Sequence, residues 1–421
     1  MHDGTTMSPQ MDLFAHVAAV YADKGDTATS NDTLYAAVMA RTGRELDELS
    51  VRRPVGKSGQ KHSVLKREIR WIQQTLKHMK VIERVEGERG IWQLASRNKA
   101  GLHQAIPGVR LLAFSTRLGA AVWGDCVGIM SRLDQPVMAC ITSPPYPLRA
   151  GRSYGGPAEA DYVDFITEAL TPVVARLAPE GSICLNLSQN IFHPGLPSRS
   201  TYLERLVIAL NDRLGLSLMD RLVWHNASTP PGPIAWASKK RMQLNTAYEP
   251  IYWFAPNPSR VKADNRRVLE AHSDTHLKLI ASGGEQRTSS YGDGAYRLSP
   301  GCYATPTEGR IPRNVISRGH RCKDTDAYRR DAKRLGLPIH GAMQPLSVPD
   351  FLIRFLTEPG DLVVDPYSGS GTTAAAAERL GRRWIIAEQV LDYIRAGGER
   401  FRECDGFYMP DVVSSWPACA A

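Results

Sequence analysis

The sequence lacks the features of membrane, secreted and metal-stabilised proteins. Its 421 residues contain no run of about eighteen apolar residues, the length that a membrane-spanning helix needs, and its polar first ten residues do not resemble a signal peptide. The seven cysteines are an odd number and no two have CxxC spacing, so neither a disulfide framework nor a structural zinc site is predicted. The histidines have no metal-ligand spacing with cysteine or aspartate. We expect a cytoplasmic protein without a bound metal.

Acidic residues are fewer than basic ones, and the excess of basic residues is concentrated in two segments of the chain. The net charge is +9, from 52 Lys and Arg against 43 Asp and Glu. Residues 41–100 hold 15 basic against 7 acidic residues, residues 258–340 hold 16 against 9, and the remaining chain is net acidic. Two basic segments on an otherwise acidic chain indicate two surfaces for a polyanion. The length and the 43% hydrophobic content allow two or three domains.

The first 97 residues follow a pattern of helices and a terminal hairpin. Apolar spacing predicts helices over 11–22, 32–41 (with Asn31 as N-cap) and 63–79, followed by a β-hairpin of 81–85 and 91–94. The segment RWIQQTLKHMKVIERVEGERGIWQLA resembles winged-helix domains at the N-termini of restriction-system proteins, although a purely structural cap remains an alternative. In a DNA-binding domain the long helix would approach the major groove. The candidate DNA ligands around its start are Arg52, Arg53, Lys57, Lys61, Lys66, Arg67 and Arg70.

Residues 98–110 have the composition of a linker, and beyond them short apolar strands alternate with helical stretches. This alternation predicts a doubly wound α/β sheet with helices on both faces. Residues 258–340 interrupt it, since they are rich in Arg, Gly, Ser and Pro with little periodicity, and we expect an inserted irregular module there. The predicted strands are 120–124, 137–142, 182–187, 218–224, 250–255, 361–365 and 383–388, and the predicted helices are 160–177, 201–214, 349–357, 372–380 and 391–402.

A Pro-Pro turn directly follows the strand at 137–142, in the sequence TSPPY. A rigid turn holds its carbonyls and side chains at the carboxyl edge of a parallel sheet, where ligands of such folds bind. An amine conjugated to a ring is a poor nucleophile until acceptors such as the Ser143 hydroxyl and the Pro144 carbonyl draw its lone pair out of conjugation. Tyr146 offers a flat face for stacking on an extruded base. The segment is therefore a candidate site for chemistry on an aromatic amine.

A glycine turn follows the strand at 361–365, in the sequence DPYSGSGTT. Glycines permit a tight turn and bring backbone N–H groups and a helix N-terminus close to a ligand. Glu388 ends the next predicted strand, 23 residues after Asp365, a spacing at which a carboxylate accepts hydrogen bonds from ribose hydroxyls. The third glycine of the dinucleotide motif GxGxxG is absent. This difference favours an adenosyl ligand without a pyrophosphate.

Together, TSPPY and DPYSGSGTT resemble the signature motifs of the amino-methyltransferase family of DNA modification enzymes. In that family (S/N/D)PP(Y/F) is the catalytic motif and FxGxG binds S-adenosyl-L-methionine (AdoMet). The catalytic motif comes first here, as in the family's β group, a circular permutation of the common AdoMet fold. The resemblance implies an α/β, Rossmann-like class I AdoMet-dependent methyltransferase. Its catalytic half would be 111–257, its target-recognition region 258–340 and its AdoMet-binding half 341–421.

The resemblance also implies roles for individual residues. Ser143, Pro144, Pro145 and Tyr146 would hold the target base. Tyr367 stands where the family usually has Phe and still provides an aromatic wall. The AdoMet pocket would be formed by Asp365, Pro366, Tyr367, Gly369, Gly371 and Thr372, with Glu388 on the ribose and Asp125 near the adenine. The recognition region would contact DNA through Arg310, Arg313, Arg318 and Arg321.

The motif SPPY resembles that of cytosine-N4 enzymes, whereas DPPY is typical of adenine-N6 enzymes. The predicted reaction is therefore methylation of N4 of an extruded cytosine in double-stranded DNA, with adenine N6 as the alternative. Carbon-5 methylation is disfavoured, because its cysteine nucleophile normally follows a proline and no cysteine here does. Two further alternatives are a related pocket acting on glutamine or RNA amines, and a DNA-binding regulator with an inactive core.

The expected setting is a restriction-modification system at the nucleoid. A cognate restriction endonuclease and a second copy of the chain are candidate partners besides double-stranded DNA. The sequence identifies no residue that accepts the proton released from the amine, and water or Ser143 could relay it.

Overall fold

The computed structural model describes residues 13, 16–17, 20–21, 27–54, 60–78, 82–85, 87–94, 104–105, 108, 110–148, 155–226, 228–291 and 296–414. Its N-terminal part contains two helices with described bounds and two small sheets. The elements are β1 (Thr29–Ser30), α1 (Asn31–Thr42), a 3₁₀ helix (Leu46–Ser50), β2 (Arg52–Pro54), β3 (Lys61–Ser63), α2 (Val64–His78), β4 (Ile82–Arg84) and β5 (Ile91–Leu94). Strands β1, β5 and β4 form one sheet in that order, and β2 and β3 form a separate hairpin.

The helix and hairpin predictions for this part agree with the structure in most details. Helix α2 buries Leu65, Ile69, Ile72 and Leu76, a spacing of three and four residues that places all four on one face. The predicted N-cap was wrong by one residue. Ser30 is the N-cap of α1, because its hydroxyl accepts the backbone N–H of Thr33, and Asn31 is the first helical residue. Of the predicted helix over 11–22, the few described residues are helical.

The remainder of the chain is built on one large sheet with helices on both faces. Its strands are β6 (Arg110–Ser115), β7 (Gly119–Gly124), β8 (Val137–Thr142), β9 (Leu177–Asn186), β10 (Ser217–His225), β11 (Tyr248–Ala255), β14 (Val315–Ser317), β15 (Leu362–Asp365) and β16 (Arg383–Glu388), with a small hairpin of β12 (Ser289–Tyr291) and β13 (Tyr296–Leu298) outside it. Its helices are α3 (Cys126–Met130), α4 (Tyr162–Val174), α5 (Tyr202–Leu214), α6 (Asp274–Ala281), α7 (Lys323–Arg334), α8 (Ser347–Leu356), α9 (Thr372–Arg379), α10 (Leu391–Gly398) and α11 (Asp411–Ser414). A π-helix (Ile234–Lys239) and 3₁₀ helices (Asn265–Val268 and Glu399–Phe401) complete the elements.

The sheet has the order β14-β10-β11-β9-β8-β15-β16-β7-β6. The strands from β9 to β7 in that order run parallel, so their carboxyl ends lie at one edge. Strand β11 runs antiparallel to β9, so its first residues reach the same edge. The strand before the Pro-Pro turn, β8, lies beside the strand before the glycine turn, β15, although more than 200 residues separate them in the chain. The two sequence motifs therefore meet at one edge of the sheet.

Alternate residues of the central strands pack on opposite faces of the sheet. Val363 and Ile386 belong to an apolar cluster with α8, α9 and α10, whereas Val364 and Ala387 pack in a second cluster with α3, α4 and α5. Because both faces are covered by helices, the strands read as continuous apolar runs. The predicted strands and helices of the core are confirmed, with ends that differ by a few residues; the largest shift is at β9, which begins at Leu177 rather than at 182.

The region 258–340 is less irregular than its composition predicts. Helix α7 packs on α10 through Tyr328 and Ala332, and β14 extends the large sheet beside β10. At the other end of the region, Lys262 forms ion pairs with Glu358 and Asp361. Both ends of this region are therefore part of the packed core. Its middle, which contains α6 and the β12–β13 hairpin, departs from the sheet.

None of the described helices is long and apolar enough to cross a membrane. Among the same residues, no three His, Cys, Asp or Glu side chains are grouped so that they could hold a metal ion.

Candidate active site

A cavity of about 730 Å³ opens at the carboxyl edge of the parallel strands. It lies where β8, β15 and β16 end, so the Pro-Pro turn and the glycine turn both form parts of its wall. Nearly all of the residues predicted for the base and the cofactor line it; Gly371 lies just outside the lining. The predicted residues in the wall are Asp125, Ser143, Pro144, Pro145, Tyr146, Asp365, Pro366, Tyr367, Gly369, Thr372 and Glu388.

The Ser143 hydroxyl lies 3.0 Å from the Tyr146 hydroxyl, so the two polar groups of the Pro-Pro turn are hydrogen-bonded to each other. The Tyr146 hydroxyl in turn donates to Glu249 Oε2 at 3.0 Å. This bond anchors the phenol on the side away from the glycine turn and leaves the ring in the wall of the cavity. Burial raises the pKa of Tyr146 well above its usual value, so the phenol is not ionised at neutral pH.

Sequence reasoning missed two polar residues behind the Pro-Pro turn, Glu249 and Asn186. Asn186 is the last residue of β9 and is buried, and Glu249 is the second residue of β11. The Asn186 amide donates to Glu249 Oε2 at 2.6 Å and to the Tyr146 hydroxyl at 3.1 Å. Nothing in the local sequence around Glu249 indicated that this glutamate would reach Tyr146.

The glycine turn is shaped by two residues in the left-handed region of the backbone. Gly369 has φ +53° and Gly371 has φ +78°. A Cβ atom at Gly369 would lie 3.0 Å from ring atoms of His340, so the close approach also requires glycine. Gly371 is the N-cap of α9, and the turn therefore directs that helix N-terminus toward the cavity.

The Glu388 carboxylate at the end of β16 faces the glycine turn and lines the cavity. One oxygen accepts the backbone N–H of Gly369 at 2.7 Å, and the other accepts that of Val390 at 2.8 Å. Burial raises the pKa of Glu388 to about 7. Burial likewise raises the pKa of Asp365, at the end of β15, to about 6, although hydrogen bonds to its carboxylate oppose this shift. The cavity therefore contains two acids whose charged forms are disfavoured.

The residues of the glycine turn fit an adenosyl ligand. Ser368 Oγ is buried, lines the cavity and has no hydrogen-bond partner among the described residues, so it is available to a polar ligand. The Tyr367 ring lies 5.6 Å from that of Phe165, and together they form an aromatic wall. Glu388 provides carboxylate oxygens for hydroxyl donors. An aromatic wall, hydrogen-bond acceptors and a glycine cradle match the chemistry of an adenosine group.

Asp125 follows β7 and caps the short helix α3. Its carboxylate accepts the backbone N–H groups of Val127 and Gly128 at 3.3 and 2.7 Å, while the side chain lines the cavity. The neighbouring thiol, Cys126, also lines the cavity. Burial raises the pKa of Cys126 to about 11, so it is a thiol rather than a thiolate at neutral pH.

The predicted DNA-binding residues lie on two exposed surfaces outside the cavity. On the N-terminal surface Arg52, Arg53, Lys61 and Arg67 are exposed, and Lys66 lies 5.1 Å from the centre of the Tyr35 ring. Lys57 lies outside the described residues. In the region 258–340, Arg310 and Arg321 form surface ion pairs with Glu270 and Asp326, whereas Arg313 and Arg318 are exposed.

A family model described as DNA methylase matches residues 137–399, which is more than half of the chain and includes both motifs. The chain therefore belongs to this DNA methylase family. The predictions of a DNA methyltransferase, of an α/β class I methyltransferase fold and of AdoMet as the methyl donor are confirmed.

Individual relatives agree with this assignment. The chain is 31% identical over 290 residues to the type II methyltransferase M.PvuII of Proteus hauseri, covering 69% of this chain and 85% of that protein. It is 26% identical over 276 residues to the type II methyltransferase M.BglII of Bacillus subtilis, covering 64% and 65%. Among solved structures, the cytosine-N4-specific PvuII DNA methyltransferase is similar, with a TM-score of 0.54, 27% identity and coverage of 72% of this chain and 93% of that one.

Proposed function

We propose that the chain methylates N4 of cytosine in double-stranded DNA as part of a restriction-modification system. One observation carries the proposal: Ser143 and Tyr146 line the same cavity as Gly369 and Glu388. This arrangement brings a base-holding turn and a donor-binding turn within reach of one another. The serine of SPPY and the similarity to a protein described as cytosine-N4-specific support N4 over the alternative, adenine N6.

The protein groups position the amine and do not form a covalent bond to the base. Bound AdoMet would supply a methyl group on a sulfonium, which is already a good leaving group. The Ser143 hydroxyl and the Pro144 carbonyl accept the amine hydrogens and direct the nitrogen lone pair out of conjugation with the ring. The high pKa of Cys126 argues against a thiolate nucleophile in this cavity. Catalysis then depends on orientation and on the preorganised charges of the site.

The target base would leave the duplex to reach the cavity. A base inside a duplex cannot bring its exocyclic amine between two turns of a protein, so extrusion is required. The Tyr146 ring would stack on the extruded base. The cavity volume of about 730 Å³ is within the range of sites that enclose a drug-sized ligand.

We also infer that the core is circularly permuted. Strands β15 and β16, which lead into the glycine turn and end at Glu388, come last in the chain but lie in the middle of the sheet, between β8 and β7. This order supports the division into a catalytic half at 111–257 and an AdoMet-binding half at 341–421. The recognition region at 258–340 keeps its predicted role, which its largely exposed helix α6 supports.

The N-terminal residues 1–97 would form a winged-helix domain that docks on DNA. The β1-β5-β4 sheet beside α1 and α2 supports this assignment, as do the exposed basic side chains of Arg52, Arg53 and Arg67. The enzyme would act on DNA at the nucleoid in the cytoplasm. A cognate restriction endonuclease and a homodimer remain predictions.

The product of the reaction in cells tests the proposal. The chain would be expressed in a methylation-free bacterial host, with Ser143→Ala as the matched inactive control. Nucleoside mass spectrometry of the genomic DNA should detect N4-methylcytosine with the native chain and far less with the variant. N6-methyladenine alone would select the alternative base, and 5-methylcytosine would contradict the non-covalent mechanism.

A further inference from the structure

The Glu249 carboxylate lies directly behind the Pro-Pro turn, where it contacts Tyr146 and Asn186. Glu249, on β11, accepts two hydrogen bonds at the same oxygen, from the Tyr146 hydroxyl at 3.0 Å and from the Asn186 amide at 2.6 Å. The antiparallel pairing of β9 and β11 brings Asn186 opposite Ile251 and so places the end of β9 beside the start of β11. Three neighbouring strands of the sheet thus contribute to one polar cluster.

The cluster does not neutralise the charge of Glu249. Among the described residues, no Lys, Arg or His lies within ion-pair distance of its carboxylate, and burial raises its pKa above the ordinary value. Glu249 is partly buried, and removing a carboxylate from water without a cation costs free energy, whereas a glutamine could accept the same hydrogen bonds without that cost. A site that retains the acid despite this cost is a candidate for function.

A continuous hydrogen-bonded route joins the cavity to this carboxylate. It runs from the Ser143 hydroxyl to the Tyr146 hydroxyl over 3.0 Å, and from there to Glu249 over another 3.0 Å. Ser143 and Tyr146 line the cavity, whereas Glu249 lies behind them. A proton that reaches Ser143 can therefore leave the cavity without crossing the site of the methyl donor.

We propose that Glu249 accepts the proton released from the target amine, acting through Ser143 and Tyr146. This inference rests on the proposed function. The amine nitrogen forms a bond to the methyl carbon while the carbon–sulfur bond of the donor breaks, its electron pair staying on sulfur. The nitrogen then gives a proton to Ser143 Oγ, Ser143 gives its own to the Tyr146 oxygen, and Tyr146 gives its own to Glu249 Oε2. Glu249 ends protonated and both hydroxyls are restored.

The surroundings of Glu249 determine how this step depends on pH. Within the described part of the chain, the titratable groups that face it are the hydroxyls of Tyr146 and Tyr202, on the Pro-Pro turn and α5; burial raises the pKa of both, so they stay neutral. The third neighbour, Asn186, does not titrate. Since the acceptor must be ionised, the rate of methyl transfer should fall as the pH drops through the pKa of Glu249. That pKa is raised by burial, so the fall begins at a higher pH than for an exposed glutamate.

Single-turnover kinetics on the full chain with AdoMet and a duplex containing its site test this role across pH 5 to 9. Glu249→Gln should lower the methyl-transfer rate at neutral pH by about 100-fold. It should also remove the acidic limb of the pH–rate profile, which is the fall in rate at low pH. Tyr146→Phe keeps the ring but interrupts the route, so it should lose the same limb. Glu249→Asp should regain part of the rate and the limb. Glu204→Gln, an exposed glutamate on α5, is the matched control and should match the wild type.

Two binding measurements separate a proton acceptor from a structural residue. AdoMet affinity by calorimetry and base extrusion by 2-aminopurine fluorescence at the target should remain within about twofold of wild type in Glu249→Gln. A Gln variant with the wild-type rate and acidic limb would overturn the proposal, as would a rate loss fully explained by weaker binding or extrusion. Should the Gln variant not fold, Tyr146→Phe decides, because an intact acidic limb in it contradicts the route. Absence of any methylated amine with wild type would instead refute the proposed function.

Discussion

The backbone N–H of Gly369 donates to the Glu388 carboxylate at 2.7 Å, which ties the glycine turn after β15 to the end of β16. The same carboxylate accepts the N–H of Val390, so both of its oxygens are held by backbone groups. Two motifs separated by 19 residues in the sequence therefore form one rigid wall of the cavity. The donor site depends on the backbone at Gly369 as well as on the acid.

Substitution of Gly369 should remove donor binding while leaving DNA binding largely intact. Gly369→Val places a branched side chain at φ +53° and against the His340 ring, and a left-handed backbone alone costs an L-residue about 1–2 kcal/mol. Gly381→Ala is the control, since Gly381 has φ +69° but open space around its Cβ position. Calorimetry should show AdoMet binding in the control and none in Gly369→Val. Unchanged affinity in Gly369→Val would refute the pocket assignment.

The raised pKa of Glu388 predicts a specific pH dependence of stability. Its pKa is about 7 in the folded protein against a usual 4.5, so the folded state holds the proton more tightly than the unfolded state. This contribution to stability is present below about pH 4.5 and is lost as the pH rises through about 7. Relative to Glu388→Gln, the wild type should lose on the order of 3 kcal/mol across that window. Urea unfolding at pH 5, 6, 7 and 8 measures this, and a constant difference between the two proteins would contradict it.

Much of the site was predictable because its two turns are local in the sequence. Each combines a buried strand with a turn whose residues have narrow conformational roles, and so Ser143, Tyr146 and Gly369 could be identified without a structure. Glu249 and Asn186 could not, since each is a single polar residue at the end of an ordinary strand. They meet Tyr146 only through the order of the strands in the sheet, which sequence periodicity does not encode.

The elements of the fold that the sequence did not predict were missed for a similar physical reason. Helix α7 has the sequence KDTDAYRRDAKR and buries only Thr325, Tyr328 and Ala332. Because so few of its residues are apolar, the sequence shows little helical periodicity, and the helix was not predicted in a region expected to be irregular. Strand β14 is three residues long and lies at the edge of the sheet, too short to show alternation. The long core strands were recognisable because burial on both faces requires continuous apolar sequence.

Substitutions in the Pro-Pro turn should lower the rate of methylation without weakening AdoMet binding. Ser143→Ala and Tyr146→Ala should each reduce the methylation rate by about 100-fold or more, because one loses an amine acceptor and the other the stacking face. Both should bind AdoMet as the wild type does, since the donor contacts assigned above are made by the glycine turn and Glu388. Rates come from tritium transfer to duplex DNA and affinities from calorimetry. Near-normal methylation by Tyr146→Ala would show that the segment is only a structural turn.

Removal of the N-terminal domain should weaken DNA binding and leave the recognised sequence unchanged. Phosphate contacts from residues such as Arg52 and Arg67 are independent of base sequence and strongly dependent on salt. Deletion of 1–97 should therefore lower affinity for DNA and flatten the dependence of affinity on salt concentration. Fluorescence anisotropy at several salt concentrations and sequencing of the methylated sites provide the measurements. A truncated enzyme that methylates a different or shorter motif would assign base reading to the N-terminal domain instead of 258–340.

The position of the transferred methyl group tests the central claim most directly. The purified chain would be incubated with AdoMet carrying a ¹³C-methyl group and with DNA that contains its site, and the isolated nucleosides would be examined by NMR and mass spectrometry. The cavity predicts one labelled product, a cytosine whose methyl group is bonded to N4, and its loss in Ser143→Ala. A label on carbon 5 of cytosine, on adenine N6 or on protein alone would contradict that account.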